Sequence, residues 1–525
     1  MAFAALAVLT LMVALDGTSI SVALPIIAKK LNGTAIEAFW AGTSFLLAST
    51  VFQPTFASFS HIFGRMAVIM LSITFFFVGV MMAALSNDFT LLLVGRSIQG
   101  IGGGGIISMT EIIITDLVPL RERGKYAGII GGMWSIGSVS GPVIGGALAN
   151  TWRWIFWINL PFIAVGGVMV PLFLRLNVIP QSLATKLKRV DWIGAVLFVG
   201  SMTSFLIPIT WGGVMYPWSH WRTLVPLLVG AAGLIAFCFY EKFLAPEPLL
   251  RLSVFANRTA NIAYFTTALH GLILWCLLYY QPLYFEAVKE YKPIIAGVAL
   301  FPATFTVAPL AVVTGFLITK TGRWRWAIWS GWAISTLGLG LLVLLKVETR
   351  IPQWIFIDLV SGIGLGILFP SLQFQLQAAS TQKDMAFAVA LFVFFRSFGQ
   401  ALGVAIGGVI FQNEMVNKLQ AYPRFVEQAS ELAKDAAALV EIIKHTSIED
   451  GKLDLQTAYT DSLRTVYIFI TALAAVAFVA SLFIKGYDLN VALETDQGLI
   501  QKQKKEDIRA EEGEAAAEKS VVPAV

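Results

Sequence analysis

Three ionisable residues stand deep inside apolar stretches of this 525-residue chain: Asp16 in LDGTSISVALP, Arg96 in RSIQGIGGG and Asp358 in DLVSGIGLG. A bare charge in hydrocarbon is costly, so each must be paired, hydrated or, for the acids, protonated. An acid in such surroundings can take up and release protons. Arginine keeps its proton, so Arg96 fixes a permanent positive charge and perturbs any carboxyl beside it. For Asp16 the chemistry is proton coupling or a gate contact, against the plainer alternative of a helix-packing hydrogen bond. For Arg96 it is a proton relay or substrate orientation, against a static ion pair between helices. A direct Arg96–Asp358 pair is one arrangement the spacing allows. Glu111 and Asp116 follow Arg96 on the same stretch, five residues apart, and so do not share one helical face well. Asp116 is assigned to an inner gate and Glu111 to a second proton site.

The segments around Arg96 and Asp358 repeat. Gly100, Gly102 and Gly104 fall on Gly362, Gly364 and Gly366 at an offset of 262 residues. At the same offset Gly137, Gly141, Gly145 and Gly146 fall on Gly399, Gly403, Gly407 and Gly408. ASFSHIFGR at 57–65 matches GFLITKTGR at 315–323 at nearly that spacing. Ordered repeats of this kind, with ionisable residues inside apolar halves, mark a duplicated membrane domain of the secondary-transporter sort.

Composition supports a bilayer as the main solvent. Apolar residues make up 57% and charged residues 13% of the chain, against about 25% charged in an ordinary soluble protein. Apolar runs of about 20 residues give about fourteen membrane spans. The first apolar run reads as a span and not as a signal peptide, since no basic segment precedes it and Asp16 interrupts it. The expected architecture is an all-α membrane protein with two six-helix pseudo-symmetric halves and two inserted spans. The divisions are a first bundle at 1–175, the insert and linkers at 176–257, a second bundle at 258–485 and a disordered cytosolic tail at 486–525. The second bundle carries a long outer loop at 412–463, with a surface helix expected at Arg424–Lys444. Lys and Arg favour one set of short loops, about fifteen against about eight, which puts both termini in the cytosol. Asn32-Gly33-Thr34 then lies outside, making Asn32 a glycan acceptor by sequence.

The remaining candidates serve the moving parts. Glycines four apart in GSVSGPVIGG (Gly137, Gly141, Gly145, with Gly146 adjacent) make a flat helix face for a close neighbour. Pro142 removes a donor within the same helix. Arg121 and Arg123, after Asp116, and His61, Gly64 and Arg65 belong to the inner gate. Tyr280, Gln281 and Tyr284 combine rings with polar ends, which suits a bulky, partly apolar ligand, although such a stripe also serves as packing. Gln373, Asp358 and Arg396 are further substrate contacts, with Gln377 a minor one. His270 is the one histidine deep in a span, and a structural hydrogen bond is its simpler role. Cys238 and Cys276 read as small packing residues. No Walker loop is present, GIGGGG follows an arginine in a membrane helix and not a strand, and four scattered histidines form no metal site. The chain is therefore expected to be no enzyme, to need no cofactor beyond a proton gradient, and to contact a small-molecule substrate, protons and lipid. Its scattered basic residues exclude a nucleic-acid face, and a monomer is expected.

These motifs resemble the major facilitator superfamily, in particular its fourteen-span drug–proton antiporter branch as found in fungi. LDGTSISVALP resembles that branch's first-span signature. GRSIQGIGGGG is similar to the fourth-span motif, whose arginine corresponds to Arg96 and is linked to proton transfer. GSVSGPVIGG resembles the antiporter motif; WRWIFWINLP (152–161) and TKTGRWR (319–325) fit as well. One departure concerns the gate loop, usually G-x-L-x-D-x-x-G-R: here Ala57 replaces the glycine and His61 the aspartate. The resemblance implies a rocker-switch exporter in the cell membrane, or alternatively the vacuolar membrane, moving a toxin, antifungal or secondary metabolite. Alternatives of the same fold are a siderophore or basic amino acid transporter and a non-transporting sensor.

Overall fold

A computed structural model of the chain describes residues 1–33, 35–174, 182–213, 215–433 and 436–490. Most of the expected cytosolic tail, from residue 491, lies outside the described residues. Lipid offers the backbone no hydrogen bonds, so an apolar chain of this kind folds into helices that satisfy their own. Six long helical segments come first: α1 (Ala2–Lys30), α2 (Ala35–Phe63), α3 (Arg65–Ala84), α4 (Phe89–Leu117), α5 (Arg123–Leu148) and α6 (Asn159–Phe173, after the short helix Trp154–Trp157). Two follow as a pair, α7 (Trp192–Trp211) and α8 (Trp221–Phe243). Six more complete the set: α9 (Arg258–Ala287), α10 (Phe301–Thr321), α11 (Arg325–Leu342), α12 (Ile351–Ala379), α13 (Met385–Leu419) and α14 (Lys452–Ser481). Twelve helices among the described residues are long and apolar enough to cross a membrane; α2 and α11 stand in the same bundles beside them.

Polar side chains set several helix starts. Asp88 accepts from the Leu91 amide at 2.7 Å at the head of α4, Asp191 from the Gly194 amide at 2.8 Å at the head of α7, and Asn257 from the Thr259 amide at 2.8 Å at the head of α9. Between α2 and α3 the chain reverses at Gly64, whose φ of 93° favours a residue without Cβ.

The repeat seen in the sequence returns as repeated packing. α4 lies between α2 and α3, and α12 lies between α10 and α11. A Cβ on Gly100 or Gly104 would run into the α2 backbone at Phe45 or Ser49, and one on Gly102 into α3 at Ser72 and Phe76. Their counterparts do the same: Gly362 and Gly366 meet α10 at Ala303 and Val307, and Gly364 meets α11 at Ser335. Likewise Gly137, Gly141 and Gly145 of α5 press on α1 between Leu11 and Ser19, while Gly399, Gly403 and Gly407 of α13 press on α9 between Ala268 and Tyr280. Pro142 lies within the continuous α5, and Gly146 is half-buried beside it. The bundles meet along two equivalent seams, α5 against α10 and α2 against α13. The inserted pair stands beside the second seam: Trp211 of α7 touches Trp40 of α2, and Phe198 touches Phe394 of α13.

The last helices differ from expectation. α13 runs on to Leu419 and α14 starts at Lys452, so the long outer connection shrinks from 412–463 to the residues between them. α13 has 35 residues, about 52 Å at the α-helical rise, against a hydrocarbon thickness of about 30 Å. Its end therefore stands in water, where Gln412, Asn413 and Glu414 carry no hydropathy signal. In place of one surface helix at Arg424–Lys444 there are two short ones, Ala429–Leu432 and Ala436–His445. Lys444 and Lys452 tie this segment to α9 through Glu286 at 3.8 Å and to Glu290, just past its end, at 3.3 Å.

Candidate functional site

Three polar layers matter. The first is closed inside the first bundle. Asp16 on α1 and Arg96 on α4 are fully buried, with the Arg96 Nη1 donating to Asp16 Oδ2 at 2.7 Å. Gln99, one turn beyond Arg96, donates to Asp16 Oδ1 at 2.8 Å, and Asn159 of α6 donates to the same oxygen at 2.9 Å. Arg96 also donates to the Gln99 side chain at 2.8 Å and to the Ala41 carbonyl at 3.0 Å, and its guanidinium lies 4.5 Å from the Phe45 ring centre. Three helices thus converge on one carboxylate. The buried Arg96 Nη2 and Asn159 Oδ1 have no hydrogen-bond partner among the described residues. Gln99 and Asn159 had not been singled out from the sequence, although both stand in quoted motifs. Gln99 carried a signal, since its spacing of three from Arg96 puts both on one helix face.

Arg96 does not pair with Asp358. Asp358 is fully buried inside the second bundle, where Gln281 of α9 donates to it at 3.1 Å and Tyr467 of α14 donates to Gln281 at 2.7 Å. The same three helix positions are used, α12, α9 and α14 standing where α4, α1 and α6 stand. Each bundle supplies partners for its own deep polar group, since a wholly unbonded side chain in apolar surroundings is costly, and Asp358 Oδ2 keeps no hydrogen-bond partner among the described residues. Tyr280 and Tyr284 are likewise turned into the second bundle, donating to the Val404 carbonyl and the Lys346 carbonyl, each at 2.8 Å. Their polar ends are spent there and do not face the first bundle. The neighbouring Tyr279 does: it lines a narrow gap with Thr43, Leu46 and Leu47 of α2 and Ala401 and Val404 of α13. His270 is buried, bonded to the Leu365 carbonyl at 3.3 Å.

The second layer crosses between the bundles. Glu111 of α4 accepts from Gln373 of α12 at 2.5 Å. These two residues are 262 apart in sequence, the repeat offset, so equivalent positions meet face to face. Arg396 of α13 interacts electrostatically with Glu111. It lies between the rings of Phe369, at 4.2 Å, and Phe392, at 4.7 Å, and donates to the Phe369 carbonyl at 3.3 Å. Nearer the second seam Gln53 of α2 donates to Ser397 of α13 at 3.1 Å.

The third layer closes the end where the basic loops gather. Arg65 donates to Asp116 at 2.8 Å and to Ser60 at 3.0 Å. The aspartate missing at position 61 therefore leaves Arg65 with two partners. His61 itself is exposed, 5.7 Å from the Phe387 ring and 3.5 Å from Arg251. Arg123 ties its own corner through the carbonyls of Val118 and Thr115, both at 2.8 Å, and reaches Gln377 of the second bundle at 3.3 Å. Arg121 donates to the Thr319 carbonyl at 3.1 Å. Beneath them α5 and α10 touch backbone to backbone at Gly124 and Gly315. Asp116→Asn is expected to cost about 2 kcal/mol, the worth of a hydrogen bond to a charged group, seen as a lower melting temperature in detergent. Ser60 retains its bond to Arg65, so folding survives; an unchanged melting temperature would count against a structural role for the pair.

At the opposite end Asn32 is exposed in the turn after α1, with a φ of 50°. Cys238 is exposed and Cys276 buried, and both are free.

Two bundles related by an internal repeat, with buried charges inside them and polar contacts across their seam, define a multi-pass membrane transporter, not an enzyme. The chain matches the Major Facilitator Superfamily over residues 6–404. It is 56% identical over 512 residues to MFS transporter L2 of Phoma sp., covering 97% of this chain and 86% of that protein. It is 36% identical over 523 residues to MFS-type efflux pump LUC4 of Fusarium sp., covering 98% and 92%. Among solved structures the human organic anion transporter MFSD10 (TETRAN) superposes with a TM-score of 0.53 at 13% identity, over 90% of this chain and 98% of that one. This chain belongs to the major facilitator superfamily.

Proposed function

We propose that the chain exports a lipophilic small molecule, a toxin, antifungal or secondary metabolite, in exchange for protons moving inward. The observation that carries this reading is the fully buried Asp16–Arg96 pair, which holds α1, α4 and α6 on one carboxylate. Protonating Asp16 removes the charge that Arg96 and Asn159 point at. It thereby loosens α1, the helix against which the α5 glycines pack. α5 in turn forms a seam with the second bundle, so one proton can bias which mouth opens. Glu111 is the second titrating candidate, placed on the seam itself. The relative in Fusarium is named an efflux pump, which supports the outward direction. The long helices, two of them inserted between the bundles, support the fourteen-span drug–proton antiporter branch. With the basic loops in the cytosol, the closed end faces inward, Asn32 faces outward as a glycan acceptor, and a monomer in the cell membrane suffices.

The test is transport by the purified chain in liposomes. Loaded lipophilic dyes or fungal toxins should leave faster when the proton gradient is directed into the liposome, and a protonophore should abolish the difference. Flux that ignores the protonophore would remove the coupling. Uptake of ferric siderophore or lysine under the same gradient would replace the export reading.

A further inference from the structure

One cavity at the basic end is lined by none of the residues placed in the transport path. It measures about 480 Å³ and is lined by Ser253, Asn257, Arg258, Thr381, Asp384 and Lys485, among others. Its walls come from the linker ahead of α9, the α12–α13 turn and the segment just past α14. Asp384, its only acid, is already committed: it accepts from Ser253 and Thr381, both at 3.0 Å, and lies 3.7 Å from Arg251. The two cations are not. Neither Arg258 nor Lys485 has an ion-pair partner among the described residues, and Arg258 only stacks on Phe483 at 5.3 Å. The unbalanced charge of the cavity is therefore positive. An apolar ridge leads away from it along the end of α14 and the turn that follows, where Val476, Val479, Leu482 and Phe483 are each about half exposed. On a helix the first three of these follow a spacing of three, one face running down toward the bilayer interior. Cations at the water boundary above a lipid-facing apolar strip match the two ends of a phospholipid.

We propose that this cavity binds the headgroup of an anionic phospholipid, its phosphate between Arg258 and Lys485 and its acyl chains along the α14 ridge. The basic-loop orientation places the cavity in the cytosolic leaflet, which is the leaflet rich in anionic lipid. The site joins the linker from the insert to the second bundle, so the lipid braces α9, α12 and α14 together without touching the transport path.

The test uses the full chain purified in detergent, with lipid retention read by native mass spectrometry and lipid-dependent stabilisation by melting temperature. Phosphatidylserine or phosphatidylinositol should be retained and should raise the melting temperature, and phosphatidylcholine should do neither. Arg258→Gln with Lys485→Gln should weaken anionic lipid binding about thirty-fold, the loss expected for two basic groups at a charged membrane surface. The double variant should keep its lipid-free melting temperature, since neither side chain makes an ion pair within the fold. Equal retention of phosphatidylcholine, or undiminished binding by the double variant, would overturn the proposal. So would displacement of the lipid by millimolar glycerol 3-phosphate, which would make the site one for a soluble phosphate.

Discussion

Asp16→Asn is expected to abolish proton-driven export and to reduce the amount of folded protein. The substitution leaves Arg96 charged, buried and facing an amide. Removing one partner of a buried ion pair costs about 3–5 kcal/mol, a large share of the stability of an ordinary domain. Loss of export alone would thus be ambiguous. The discriminating variant is Asp16→Asn with Arg96→Gln, in which both charges go while Gln99 and Asn159 retain polar partners. That double variant should recover most of the melting temperature, because replacing a whole buried pair is often neutral, and should still show no gradient-driven flux. If it folded and pumped normally, the pair would be a structural clasp and the coupling would lie elsewhere, Glu111 being the next residue to change.

Gly124→Val is expected to hold the basic end open. A Cβ at this position would meet the Gly315 carbonyl at 2.6 Å and the Phe374 ring at 2.6 Å. The obstacle is partly main chain, so it cannot rotate away, and α5 and α10 must separate. Separation also stretches the Arg121 bond to Thr319 and the Arg123 bond to Gln377. Spin labels at positions 67 and 321, on the basic ends of α3 and α10, should report a longer distance in the variant when Cys238 is replaced by Ser. Substrate should still bind, but turnover should fall by about fivefold to 150-fold, the equivalent of the 1–3 kcal/mol that overpacking costs. An unchanged label distance would show that this end is not a gate.

The helices, the repeat and the two buried charges of the first bundle were legible because each leaves a mark along the chain. Partner choice was not. Arg96 and Asp358 occupy equivalent depths in sequence, but depth does not say toward which neighbour a side chain turns, and each turned into its own bundle. Tyr279 and Tyr280 show the same limit at a finer scale: adjacent residues on a helix point about 100° apart, and the one facing the seam was not the one chosen. Asn159 was hidden because a single amide among aromatics has no periodicity. The ends of α13 and α14 were cut short because hydropathy reports where lipid stops, not where the helix does. The Glu111–Gln373 bond joins positions at the offset of the glycine repeat, an offset that also relates Arg96 to Asp358, which do not meet. A residue on a symmetry-related helix that lies near the axis must meet its own equivalent, and only the position of the axis was missing.

α7 and α8 give the molecule a front and a back in the plane of the membrane. One seam, α2 against α13, is flanked by α7, which touches both sides of it. The other, α5 against α10, shows bare apolar side chains, including Ile129, Ile136, Val312 and Phe316. If the two bodies rock, the flanked seam serves as the spine of the book and the bare one as its fore-edge. A cargo dissolved in the bilayer would then slip in sideways from a single direction, without first crossing into water.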